Sequence, residues 1–159
     1  VGSFTLELVT PAAAPYDKLV VPMASDLMAV GIQCKLQILE RGTFLQARAK
    51  GTIPTSITGV VGAPDPDSPI LTLYSKASFP PGLNTAHYAG IEGLIAAAAT
   101  APDDAARKAA YGEILKKTMA DVPVIPLYAD HLFIAHGPRV KGFVQNSLFT
   151  VNVAPVALG

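Results

Sequence analysis

Two histidines late in the chain, His131 and His136, lie close to Asp130 and raise the question of a metal site. In a continuous strand a separation of five puts the two imidazoles on opposite faces, so they cannot share one ion without a bulge or turn between them. His87 is a lone imidazole in a different segment. Around Ser56, Pro54 and Thr58 occupy both positions where a nucleophile elbow needs glycine. Cys34 alternates with Ile32 and Leu36 and reads as a small buried hydrophobe. Neither GxGxxG nor GxxxxGK[ST] occurs, so no phosphate cradle is expected. The charged pairs that remain are Glu40-Arg41, at the end of an apolar alternation, and Asp65 with Asp67, whose flanking prolines suit the first turn of a helix. No catalytic group, metal site or cofactor is expected from these residues.

The composition narrows the classes further. The 159 residues suit a single domain, and 12 basic residues balance 12 acidic ones with no basic run to track a phosphate backbone. Nucleic acid is therefore not an expected partner. Half of the residues are hydrophobic and 15% are charged, against roughly 25% in an ordinary domain, which excludes disorder and hints at a surface that meets a partner. The single cysteine forms no internal disulfide and leaves the redox compartment open. The longest apolar stretches, 94–99 and 122–129, are far short of the roughly 20 residues that span a bilayer. The opening residues Val1 to Leu8 contain neither a basic nor an apolar signal region, so a secretion signal is not expected within this sequence.

Period-two alternation predicts strands over 3–9 and 32–38, and between them Leu19, Val20, Met23, Leu27 and Val30 recur at helical spacing up to Gly31. Pro22 falls inside that pattern and predicts a kink or a late start. A helix between two strands predicts a parallel, right-handed pair. Further on, Phe44, Leu45, Ala47 and Arg48 predict a short helix ended by Gly51, residues 57–61 a third strand, and 67–76 another short helix. Residues 77–90 read as a surface loop. The strongest helix is 102–121, with capping-box spacing at Thr100 and Asp103. Its apolar stripe is Tyr111, Ile114, Leu115, Thr118 and Met119, and its expected ion pairs are Asp103–Arg107, Asp104–Lys108 and Glu113–Lys117. Residues 122–129 are apolar on both alternating sets, as in a strand covered on both faces. The fold class is α/β, a βαβ-built and mainly parallel sheet flanked by helices.

Several motifs fall in an order that resembles a known family. They are the parallel βαβ with Gly31-Ile32 entering its second strand, Asp65-Pro66-Asp67, Asn84-Thr85-Ala86-His87-Tyr88, Arg107 with Tyr111, Val122-Pro123-Val124-Ile125-Pro126-Leu127-Tyr128 and Val140-Lys141-Gly142-Phe143. The sequence resembles the solute-binding proteins of dipeptide, oligopeptide and nickel ABC importers, over roughly residues 4–145. Members are about three times this length and two-lobed. The resemblance therefore implies a fragment: the C-terminal lobe, with 1–130 as α/β core and 131–159 as a tail that returns toward the other lobe. It also implies hinge closure on a small polar solute, no enzymatic activity, an ABC permease partner and a periplasmic or surface-tethered location. An isolated lobe is expected either to fold its tail back on itself or to self-associate through it.

Open parallel α/β sheets collect ligands outside the carboxyl ends of their strands. Those ends supply Thr10, Pro11, Ala12, Glu40, Arg41, Gly59, Val60, Gly62, Ala63 and Asp65 as candidate cleft residues. Peptide-binding relatives often have a Trp at the end of the third strand and an Asp three residues later that takes the peptide amine. The matching positions are Gly59 and Gly62, so both features are absent. Two other readings are an α/β hydrolase-like enzyme, for which no assembled nucleophile and base is found, and a sensor or chaperone-type binding protein of the same fold.

Overall fold

The computed structural model describes residues 4–60, 63–131, 133–144 and 152–159. Strand β1 (Thr5–Pro11) and strand β2 (Gln33–Leu39) pair in parallel, joined by helix α1 (Tyr16–Ala29). Leu8, Val20, Ala24 and Ile57 form the centre of this unit, with Leu6, Tyr16, Met23, Leu27 and Cys34 packed around them. Gly31 has φ +89 and turns the chain out of α1, in a conformation that costs glycine little. Pro22 neither delays α1 nor divides it. It and Lys18, whose carbonyl loses its donor, both lie on the exposed side, where water can satisfy the orphan acceptor.

The third strand contracts to a single bridge. The Val9 amide donates to the Thr55 carbonyl at 2.9 Å and the Ile57 amide donates to the Val9 carbonyl at 3.1 Å. The next rung of a parallel ladder would need an amide at position 11, and Pro11 has none. The buried Thr10 hydroxyl instead donates to the Ile57 carbonyl at 3.3 Å, and Thr58 to Val60 leave the sheet exposed. The predicted strand over 57–61 is thus replaced by a loop, its last residue lying outside the described set.

Helix α2 (Arg41–Ala49) follows β2 and buries Phe44. A second core is helical: α3 (Asp67–Tyr74), α4 (Glu92–Ala99) and α5 (Asp104–Asp121) meet at Ile70, Ile91, Ala98, Tyr111 and Ile114. The stretch 77–90 is more than a surface loop, because it is built around the buried Asn84. Its side-chain amide donates to the carbonyls of Ser75 and Tyr88 at 3.0 and 2.7 Å, and its oxygen accepts from the Tyr88 amide at 3.1 Å.

Several local expectations change. Asp103 caps α5 alone, accepting from the Ala106 amide, whereas Thr100 ends α4 by donating back to Ala96. None of the three expected ion pairs forms: Arg107 is drawn to Asp65, Lys117 to Asp121 and Glu113 to Lys116. Leu115 and Met119 are 56% and 69% exposed, so the buried stripe of α5 is only Tyr111, Ile114 and Thr118. Val122 is the left-handed cap of α5 rather than the start of a strand, and Val124, Ile125, Leu127 and Tyr128 lie exposed with no strand partner. Strands β3 (Val140–Lys141) and β4 (Ala157–Leu158) pair antiparallel with each other. In the tail, Phe133, Val144 and Val153 are exposed, whereas Ile134 and Phe143 are partly buried. Among the described residues no helix is long and apolar enough to cross a membrane.

Candidate functional site

The carboxyl ends of β1 and β2 open on a hollow of about 400 Å³. Pro11, Ala13 and Ala14 form its floor as the chain leaves β1, and Thr58 and Gly59 border it where the curtailed ladder releases the chain. Helix α2 supplies the opposite wall through Arg41, Phe44, Leu45 and Arg48. Their spacing of three, four and seven puts them on one face, with the two arginines roughly 10 Å apart along the axis. The Arg48 guanidinium lies 6.0 Å from the centroid of the Phe44 ring, within reach of a cation–π contact.

Tyr16, at the start of α1, closes the side nearest Gly59. A Cβ built at Gly59 would run into the Tyr16 hydroxyl, so a side chain here would need the Tyr16 ring to shift. The aromatic ring of this wall therefore comes from α1, not from the segment that follows Ile57. Desolvation raises the Tyr128 phenol above its usual value, and the nearby Asp130 and Tyr16 add to this.

The sequence-derived candidates divide three ways. Pro11, Arg41 and Gly59 come together in the hollow. Thr10 is buried beneath it, holding Ile57, while Ala12 is exposed and donates its amide to the Leu39 carbonyl. Glu40 turns its carboxylate onto the first turn of α2, accepting from the Thr43 amide at 3.1 Å, and these backbone amides lower its pKa. Val60 and Ala63 are exposed outside the hollow, and Gly62 lies outside the described residues.

Asp65 belongs to a second cluster. It accepts from Arg107 at 2.9 Å and from the Asp67 amide at 2.9 Å, and these two donors hold its carboxyl below the usual range. The Tyr111 hydroxyl donates to Asp67, and the Arg107 guanidinium sits 4.9 Å from the centroid of the Tyr111 ring. This clamp fixes the start of α3 to α5. Ala13, Ala14, Tyr16, Phe44, Leu45, Arg48 and Thr58 line the hollow without being among the sequence candidates, and only those on α2 carry a signal, the 41-44-45-48 spacing.

No family model matches the chain, and no curated protein matches it. Solved structures do. The ABC transporter-associated periplasmic binding protein DppA of Helicobacter pylori, in complex with the peptide STSA, superposes with a TM-score of 0.78 at 25% identity, over 98% of this chain and 31% of that one. A dipeptide-binding protein of Pseudoalteromonas sp. SM9913, in complex with Met-Leu, gives 0.78 at 21% identity over 99% and 32%. HbpA2 of Haemophilus parasuis gives 0.75 at 24% over 99% and 32%. The chain has the α/β fold of one lobe of the periplasmic dipeptide- and oligopeptide-binding proteins. It spans about a third of the length of the structures it matches.

Proposed function

We propose that the chain is the C-terminal lobe of an ABC-importer solute-binding protein, and that the hollow at the ends of β1 and β2 is its wall of the ligand cleft. The observation that carries this reading is the place of the hollow: it lies outside the carboxyl ends of a parallel pair, in a fold whose solved examples hold peptides. Binding is by capture between two walls, with the closed form stabilised by contacts to both. The partners are a small polar solute and a membrane permease, and the location is periplasmic or surface-tethered. Residues 131–159 are the tail that crosses back to the other lobe. The solute is captured and released unchanged.

A thermal-shift screen of the full gene product tests the reading. The panel is free and N-acetylated dipeptides, sugar acids and metal chelates, each recovered afterwards and weighed by mass spectrometry. One class should raise the melting temperature by mass action and come back unchanged. Without the carboxylate anchor for an amine, free dipeptides should do no better than acetylated ones. Turnover of any compound, or no shift across the panel, contradicts the proposal.

A further inference from the structure

The charge of the hollow goes beyond its position. Its lining contains two guanidinium groups and two hydroxyls, those of Tyr16 and Thr58, and no carboxylate. Neither Arg41 nor Arg48 forms an ion pair among the described residues. Nε of Arg48 is buried without a partner, a donor removed from water with nothing to receive it. The nearest acid in sequence, Glu40, is turned away onto the amides of α2. The remaining wall is apolar: Pro11, Ala13, Ala14, Phe44 and Leu45.

Resting on the reading of this face as a solute-binding wall, we infer that the hollow takes the carboxylate of a small organic acid or N-blocked peptide, set between Arg41 and Arg48 with its carbon skeleton against Phe44 and the β1 exit. A guanidinium fork matches a carboxylate with two parallel hydrogen bonds, and a second cation on the same helix face makes the site selective for negative charge. A cationic or free-amine group would meet the two arginines and be repelled. Inorganic phosphate would satisfy the charges but leave the apolar wall wet.

The test is nitrogen-edited NMR on the 159-residue chain, following the arginine Nε–H signals and the amides of Tyr16, Thr58 and Gly59. Two probes are titrated, N-acetyl-alanyl-alanine and its C-terminal amide, which differ by the carboxylate. The acid should move these signals in the millimolar range and the amide should bind at least about tenfold more weakly, as loss of one charge-assisted contact implies. Arg41→Gln should weaken the acid several-fold and leave the amide unchanged. Arg48→Gln also removes the contact with Phe44, so the comparison of the two probes on the unaltered chain decides. Equal affinity for both overturns the carboxylate assignment while leaving a solute wall in place. Movement by neither probe, or movement confined to another face, overturns the carboxylate assignment, whereas the solute-wall reading falls only if the full gene product shows no shift across the thermal panel.

Discussion

Asn84 shows how a single side chain can replace secondary structure. It is almost fully buried, and its side chain satisfies three backbone groups of an irregular segment. Asn84→Ala should cost about 2–3 kcal/mol, because the amide and carbonyl of Tyr88 lose their partner and the Ser75 carbonyl keeps only the Ser78 amide; denaturant unfolding with an unchanged m-value measures it. Tyr88, which Asn84 anchors, donates its hydroxyl to Asp121 at 2.6 Å, and burial followed by that carboxylate pushes its pKa up to about 12. The native state thus holds this proton more tightly than the unfolded chain, whose phenol titrates near 10. The contribution to stability is complete below about pH 10 and is lost as the pH rises toward about 12. Tyr88→Phe should flatten that alkaline decline in a pH series of unfolding curves. Sequence patterning placed the Asn-Thr-Ala-His-Tyr run in a loop, but a hydrogen-bonding role for its Asn depends on carbonyls at Ser75 and Tyr88 that only the folded chain brings within reach.

At the scale of elements, the βαβ unit was legible because alternation and helical spacing are local signals, and its core is made by those segments with the addition of Ile57 alone at the centre. The third strand was not, since its length depends on whether the neighbouring strand can keep donating, and Pro11 removes that donor. Helix α4 carried no period to read, as most of its residues are apolar and four are Ala. Apolar patterning also misjudged α5: Ile114 is fully buried and Leu115, one residue on, is exposed. Ile114→Ala should cost about 2–5 kcal/mol and Leu115→Ala less than about 0.5 kcal/mol in this chain, a contrast that two chemical denaturation curves settle. Val122 ends α5 with φ +47, a left-handed conformation that a β-branched residue enters at a cost. Val122→Gly should therefore stabilise the chain by about 1 kcal/mol, seen as a higher unfolding midpoint.

For the whole molecule, exposure marks where the chain meets something else. Ile125 is 71% exposed in a segment whose apolar patterning predicts cover, and Phe133 beyond it is 90% exposed. The same patterning that predicts a strand over 122–129 thus describes a surface that these 159 residues leave open. Among the described residues strand β2 pairs with β1 on one side only, with Leu36 and Ile38 exposed, and such edges are templates for pairing. The chain on its own should self-associate, with a weight-average mass that rises with loading in sedimentation; a mass constant across loadings contradicts this.

The fold family was legible in the order of motifs, and the topology pointed to the strand ends where the hollow lies. The identity of its lining depended on α1 and α2 meeting across the end of the sheet, which brings Tyr16, Arg41 and Arg48 around one space. One wall of a cleft leaves most of a small ligand in water, whereas pockets bury about 70–90% of one. Native mass spectrometry of the full gene product beside the 159-residue chain tests this most directly. The account predicts one small solute per full-length molecule, released on unfolding, and none on the shorter chain. A bare full-length protein, or a solute retained by the 159 residues alone, would contradict it.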